Sequence, residues 1–443
     1  MCATMSPMPS AELTRRATTP PPLSPLARLR LSAAVAAGEI AATASRLARR
    51  GSGASIRGQV MQRIDPNSLA KLLRGRRIAV VSGTNGKTTT THLLAAAVRA
   101  GLGDQVRRLV TNADGANLHY GIASALSRSP KADIAVLETD ERVVADVIRL
   151  GRPEVLTLLN FSRDQLDRHH EIKALGTSWR KALDAAGPDG PIVVANAEEP
   201  LIVWAARRAR QVIWVDTQSV WQQDAVLCPE CGARLDRTQP TDDRPGHWAC
   251  TGCDLAKPTS TWRVEGDTII SPDGTVLEPK LRVPGSFNVS NAACALATAA
   301  EMGVPAETAL VGMRTVTAPA GRFATAKFGD TTARLLLAKN PAGWAEALPI
   351  TKTETLVLAI DSVAADGKDV SWLWDVDFEQ LAGRTVIVTG PRAHDLAVRL
   401  LYAEVEHRVE PDLAKALEGH AEPIDVVSTY TPFQKLRKMG GLA

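Results

Sequence analysis

Residues 78–91, Ile-Ala-Val-Val-Ser-Gly-Thr-Asn-Gly-Lys-Thr-Thr-Thr-Thr, constrain the fold of this chain more than any other stretch. Ile78 to Val81 are a short run of β-formers bounded by Ser82 and Gly83, which predicts a buried strand. Leu93, Leu94, Ala97 and Val98 then recur at helical spacing. A strand, a glycine loop and a helix that opens on Lys87-Thr88 form the arrangement that cradles a polyphosphate. Gly83 and Gly86 let backbone N–H groups approach phosphate oxygens, with Thr84, Asn85 and Thr89 completing the loop and first turn. Lys87 supplies a point charge to the β- and γ-phosphates, and the Thr88 hydroxyl can ligate Mg²⁺. The spacing is a shortened form of GxxxxGK[ST]. An ordinary glycine-rich turn has no need of Lys-Thr at the helix start, so the stretch reads as a nucleotide site.

Around that loop the chain has room for two or three domains in its 443 residues. Its 45% hydrophobic and 23% charged residues are those of a soluble globular protein. A net charge of +4 on this length argues against nucleic acid as a partner. No apolar run is long enough to span a bilayer. Residues 1–26 read as a disordered tail without the features of a signal peptide. Residues 27–50 predict an amphipathic basic helix, packed on its own protein or touching a membrane surface.

Three further strands are expected at 107–112, 134–137 and 155–159, alternating with helices. That alternation implies a parallel, doubly wound sheet with its ligand at the strand C-termini. The third strand ends in Glu138-Thr139-Asp140-Glu141, and an acid at a strand tip beside a phosphate loop can hold Mg²⁺, which favours Glu138 as the second metal ligand. Four of the six cysteines form two CxxC pairs, Cys228/Cys231 and Cys250/Cys253, with 18 residues between the inner two. That separation fits a tetrahedral Cys₄ zinc ribbon. Four thiolates leave no open position, so the zinc is structural. Free thiols and metal ligation also indicate a reducing compartment, and the expected location is the cytoplasm.

Beyond residue 323, strands at 334–338, 355–360, 385–389 and 426–429 and a helix at 393–403 predict a smaller α/β domain. The loop leaving the 355–360 strand, Asp361 to Asp375, is rich in carboxylates and carries Trp372 and Trp374. It is either an active-site or partner surface, or a solvated turn whose tryptophans face the core.

The phosphate loop, the Glu138 strand tip and Asn160-Phe-Ser-Arg-Asp-Gln-Leu-Asp-Arg168 together resemble the Mur ligases, the ATP-dependent amide-forming enzymes of peptidoglycan precursor synthesis. Pro284-Gly-Ser-Phe-Asn288-Val-Ser-Asn-Ala292 is similar to the family's asparagine-bearing segment, and Gly321-Arg322 to its Gly-Arg pair. The resemblance implies a central P-loop ATPase domain over 27–318, with the ribbon inserted at about 222–262, and a Rossmann-like C-terminal domain over 319–443. It implies that Asn160 belongs to the ATP site, that Asn288 contacts adenine and that Arg322 reaches the phosphates. The family's carbamylated lysine would fall near Lys181. The chain departs from the family in having Gln165 in place of a usual histidine, in reading Leu336-Leu-Ala-Lys-Asn-Pro341 where an Asp-Tyr-Ala-His-type motif is usual, and in having only residues 1–77 before the phosphate strand.

Those departures, with Asp366-Gly-Lys-Asp369-Val-Ser-Trp-Leu-Trp-Asp375, resemble the branch of the family that forms the ligase subunit of lipid II isoglutaminyl synthase. That branch amidates the α-carboxylate of D-glutamate in the stem peptide, at the inner membrane face, with ammonia from a GatD-type glutaminase. The resemblance implies that Asp369, or its neighbour Asp366, completes the glutaminase's catalytic triad. The chain carries no glutaminase nucleophile of its own: Cys2 lies in the tail, and Cys294 in an apolar helix. A ligase that adds an amino acid directly is one alternative, and a nucleotide-binding scaffold without catalysis is another.

Overall fold

The apolar run at 78–81 becomes β1 (Arg77–Ser82), an interior strand third from one edge of a nine-stranded sheet. The computed structural model describes residues 21–48, 54–112, 115–162, 172–218, 224–238, 246–317, 323–363 and 366–442. β1 lies between β3 (Ile134–Glu138) and β4 (Val155–Leu158), parallel to both, and β2 (Leu109–Thr111) pairs with β3. On the far side of β4 come β5 (Ile192–Asn196) and β6 (Gln211–Asp216). Ile78 and Val80 enter one core and Ala79 and Val81 the other, which explains why β1 is apolar at successive positions rather than alternating. One face is covered by α4 (Lys87–Leu102), α9 (Phe287–Glu301) and α10 (Ala306–Met313). The other carries α3 (Ser68–Leu73), α5 (His119–Arg128), α6 (Val144–Gly151), α7 (Ile172–Ala186) and α8 (Pro200–Ala206).

The sheet is not parallel throughout. β9 (Trp262–Glu265) joins β6 in parallel, but β10 (Thr268–Ile270) and β11 (Val276–Leu277) are antiparallel. Only Gly266 and Asp267 separate β9 from β10, with Gly266 at φ +57°, and so short a connection cannot serve a parallel pair. The expected strand at 107–112 is shorter, because residues 103–108 form a 3₁₀ segment.

The chain leaves the sheet between β6 and β9 to build a two-stranded hairpin, β7 (Leu235–Thr238) and β8 (His247–Cys250). At the other end, α1 (Pro25–Leu47) and α2 (Ala54–Ile64) pack as a pair. The helix expected at 27–50 thus begins at Pro25, capped by Ser24, whose Oγ accepts from Ala27 N at 3.3 Å. Gly38 permits the close crossing: a Cβ there would stand 2.8 Å from Met61 Cγ and 2.9 Å from the Arg57 carbonyl.

A second sheet, six-stranded in the order β12-β13-β17-β14-β15-β16, forms the C-terminal part. β13 (Thr331–Leu337), β17 (Ile424–Ser428), β14 (Thr355–Ala359), β15 (Thr385–Thr389) and β16 (His407–Val409) are parallel. β12 (Phe323–Phe328) is an antiparallel edge. α11 (Pro341–Ala347), α12 (Ala393–Tyr402) and α13 (Tyr430–Met439) pack on its faces. No described helix is long and apolar enough to cross a membrane.

Candidate active site

The C-terminal ends of β1, β3 and β4 face the C-terminal end of β13 across a cavity of about 760 Å³. Thr84, Asn85, Gly86, Lys87, Thr88 and Thr89 line one wall, and Leu337, Ala338, Lys339 and Gly343 the opposite one. Two loop glycines are required by geometry. Gly83 stands at φ +143° and Gly86 at φ +81°, and a Cβ on Gly86 would lie 2.4 Å from Asn291 Oδ1.

Asn160 holds the loop from below: its Oδ1 accepts from Asn85 N at 2.8 Å, and its Nδ2 donates to the Asn85 carbonyl at 3.2 Å. Thr84 N donates to the Asn160 carbonyl at 3.0 Å, and Ser162 N to Thr84 Oγ1 at 3.1 Å. Lys87 is buried, and its Nζ bonds to Glu141 Oε2 and the Thr84 carbonyl, each at 3.0 Å, and to the Gly83 carbonyl.

Glu138 is 2% exposed. Asn112 grips its backbone on both sides, donating to its carbonyl at 2.8 Å and accepting from its N–H at 2.8 Å. Oε1 accepts from Asn117 Nδ2 at 2.9 Å, while Oε2 is buried with no hydrogen-bond partner among the described residues. A buried carboxylate oxygen left over in this way, on the same cavity wall as Thr88, suits a hard cation. Burial would push the neighbouring Asp140 carboxyl up, but the Arg142 guanidinium bonded to it at 2.7 Å, with Lys87 behind, outweighs this and holds it low.

Asn288, which also lines the cavity, donates to the Pro284 carbonyl and accepts from Asn291 Nδ2 at 2.9 Å. Gly321 and Arg322, and residues 163–168 of the segment that begins at Asn160, lie outside the described residues. Lys181 does not join the site. It is exposed on α7, while Trp179 and Leu183 take that helix's buried face.

Three contributions escaped sequence reading. Asn117 and Glu141 partner Glu138 and Lys87. Asn340 pairs amide to amide with Asn85 across the two sheets, Nδ2 to Oδ1, at 3.2 and 3.3 Å. Asn340 also caps α11, accepting from Gly343 N at 2.9 Å. Asn-Pro before a helix is a readable start signal for that cap, but nothing local shows its second role.

The four cysteines do come together. Their Sγ atoms all lie within 4.8 Å of one another, with Cys228–Cys253 at 3.6 Å and Cys231–Cys250 at 3.4 Å. Thiolates about 2.3 Å from one tetrahedral ion are spaced in this range, whereas disulfides need roughly 2 Å. The hairpin is fastened to the first sheet: Trp248 Nε1 donates to the Ala197 carbonyl at 3.0 Å, and Lys257 Nζ to Asp216 Oδ2 at 2.8 Å and to Glu198. Glu230 on the first knuckle meets Trp204 Nε1 at 2.6 Å and Arg180 at 3.0 Å.

Beside this junction, burial drives the Glu199 carboxyl up to about 8, with Asp224 adding to it, Arg237 opposing and Glu198 adding. A raised carboxyl favours folding fully below its unfolded value and loses that contribution as pH climbs through the folded one. Glu199→Gln should therefore show little difference in unfolding midpoint at pH 4.5 and a growing advantage up to about pH 8. Thermal melts across that range check it; equal midpoints at pH 8.5 would contradict it.

Asp369 lies outside the cavity lining, exposed on its loop. The Ser371 N–H, at 2.8 Å from Oδ1, holds its carboxyl below the usual range. Asp366 is buried, its Oδ1 accepting from Thr431 N at 2.8 Å. Trp372 packs on Trp344, whereas Trp374 is exposed beside Tyr402, with ring centroids 5.3 Å apart.

This fold, with a lysine-bearing phosphate loop facing a second α/β domain, is that of a Mur ligase, and residues 81–232 match the Mur ligase middle domain family. Among solved structures of the same fold are a pseudomurein peptide ligase type C from Methanothermus fervidus and Mycobacterium tuberculosis folylpolyglutamate synthase complexed with ADP. The first has a TM-score of 0.62 at 18% identity, covering 82% of this chain and 78% of that one. The second has a TM-score of 0.56 at 16% identity, covering 84% and 92%. Residues 337–433 match the MurT ligase C-terminal family. The lipid II isoglutaminyl synthase (glutamine-hydrolyzing) subunit MurT of Staphylococcus aureus (strain COL) is 30% identical over 400 residues, covering 84% of this chain and 90% of that protein. The subunit of the same name from Streptococcus pneumoniae (strain ATCC BAA-255 / R6) is 29% identical over 378 residues, covering 80% and 83%. The chain belongs to the MurT family.

Proposed function

We propose that this chain is the ATP-dependent ligase subunit of a lipid II isoglutaminyl synthase, which converts the α-carboxylate of D-glutamate in the stem peptide to the amide. The observation that carries the reading is the similarity to MurT subunits over 84% of the chain, joined to a phosphate-loop cavity that opens between the two sheets. A carboxylate does not react with ammonia until it is activated. The γ-phosphoryl group of ATP passes to a carboxylate oxygen, ADP departs, and an acyl phosphate remains. The nitrogen of ammonia then attacks the carbonyl carbon, phosphate leaves with the transferred oxygen, and the ammonium proton is lost.

In this reading the loop N–H groups and Lys87 bind the phosphates and spread the charge that develops on them. Asn160 and Asn340 fix the loop's position, and Asn288, which lines the same cavity, is the expected contact to adenine. Arg322, in the family's Gly-Arg pair, is the expected further phosphate ligand. Thr88 and the unpaired oxygen of Glu138 would hold Mg²⁺, which neutralises phosphate charge when bound. Neutral ammonia is scarce at neutral pH, so a separate GatD-type glutaminase supplies it, with Asp369 orienting that partner's catalytic histidine. Asp369 is the better placed of the two candidates, because Asp366 is buried and already holds the start of α13. The reaction belongs at the cytoplasmic face of the membrane.

The test is product formation from lipid II with ATP, supplying ammonium or glutamine, with and without the glutaminase. Amidation that needs the partner for glutamine but not for ammonium supports the reading. Turnover only with a free amino acid would replace it with a direct amino-acid ligase.

The thiol cluster is assigned to structural Zn²⁺. Metal analysis of protein purified without added metal should find about one zinc per chain. Cys231→Ser should lose it and lower the unfolding midpoint by roughly 5–10 °C, since the hairpin's Trp248 is part of the first sheet's core. Metal-free protein with an unchanged midpoint would refute the assignment.

A further inference from the structure

α1 is two-faced. Ala34, Gly38 and Ala42 are buried against α2 and the body of the protein. The opposite side carries Leu26, Leu29, Ala33, Ala36, Ile40, Thr43 and Leu47, at alternating spacings of three and four, and every one is exposed. The four large residues are bare: Leu26 is 76%, Leu29 68%, Ile40 72% and Leu47 81% exposed. Single exposed leucines need no explanation, but a continuous apolar stripe along one helix does.

Charge decides among the surfaces that could cover it. Residues 25–64 hold seven arginines and no lysine, against a single acid, Glu39, in a chain whose net charge is only +4. Glu39 is already engaged by Arg57 and by Arg46 at 3.3 Å. Arg30 flanks one side of the stripe, and Arg28 and Arg46 the other. Two copies of this face would set arginine against arginine with no acid left to answer them. An anionic interface offers partners to the exposed Arg28, Arg30 and Arg46, and long arginine side chains can reach headgroups while their stems lie along the apolar stripe.

We propose that the outer face of α1 docks on an anionic phospholipid bilayer, lying in the interface with its aliphatic stripe among the acyl chains. The helix lies on the membrane and does not cross it, in keeping with the absence of a described helix long and apolar enough to span. This deepens the lipid II reading, on which its purpose rests, by naming where the chain meets the membrane that holds the substrate.

The experiment uses the full chain and vesicles of phosphatidylcholine, with or without phosphatidylglycerol. Lipid II, ATP and glutaminase are left out, so the result is independent of the proposed reaction. The native chain should sediment with the anionic vesicles, less so as salt is raised, and should partition at least tenfold less onto neutral ones. The triple variant Leu29→Gln/Ile40→Gln/Leu47→Gln changes only exposed positions. It should keep the native circular dichroism and melt and lose at least tenfold in partitioning onto anionic vesicles. Equal partitioning of the variant, or no partitioning of the native chain, overturns the proposal. So does a vesicle-free dimer in sedimentation equilibrium that the triple substitution dissolves, because the face would then belong to a second copy.

Discussion

Glu138→Gln is expected to lower ATP-dependent turnover by roughly 10²–10³-fold while leaving the unfolding midpoint of the nucleotide-free chain equal or higher. The two effects differ in sign for one reason. The native carboxylate is almost fully buried, its Oε1 satisfied by Asn117 and its Oε2 by no group among the described residues. A buried charged oxygen without a partner costs stability, and an isosteric amide removes that charge while keeping an oxygen for Asn117. The same amide offers a divalent ion no charge. Addition of ATP with Mg²⁺ should raise the native midpoint and raise that of the variant much less. Turnover at the native rate, or an undiminished midpoint rise, would remove Glu138 from the metal role.

Asp369→Asn should abolish glutamine-dependent amidation, on the order of 10³–10⁴-fold by the usual worth of a triad's orienting acid, and leave ammonium-dependent amidation within about twofold. The side chain is exposed and its described hydrogen bonds are to Ser371 alone, so the substitution disturbs little within this chain. Asp366→Ala is the counterpart, because an amide would still offer an oxygen to Thr431 N. That carboxylate is buried and anchors Thr431 N, so its loss should lower the melting midpoint and reduce both activities together. Measured side by side with saturating ammonium, the two variants separate a residue that serves the partner from one that supports the fold. Equal loss of both activities in Asp369→Asn would end its assigned role.

The phosphate loop, β1, β3, β4 and the Cys₄ hairpin were legible because each is specified by residues close together in sequence: an apolar run, a glycine pair with Lys-Thr, two CxxC knuckles. The parallel centre of the first sheet followed from the alternation of strands and helices. Its antiparallel end did not, because β10 and β11 are only three and two residues long and carry no pattern of their own. Lys181 was expected near the site on family spacing, yet the helical phase set by Trp179 and Leu183 turns it to solvent. The pairing of Asn85 with Asn340 joins residues 255 apart, and no local rule anticipates a contact at that distance.

That amide pair also has a mechanical meaning. It carries no net charge, and each of its bonds is worth only about 1 kcal/mol over the equivalent bond to water. It therefore acts as a latch rather than a weld: the two halves can separate without either losing its own core. Because one member of the latch belongs to the loop that lines the cavity, separating the halves would withdraw a brace from that loop in the same movement. One opening movement would therefore both loosen the phosphate loop and widen the cavity between the sheets.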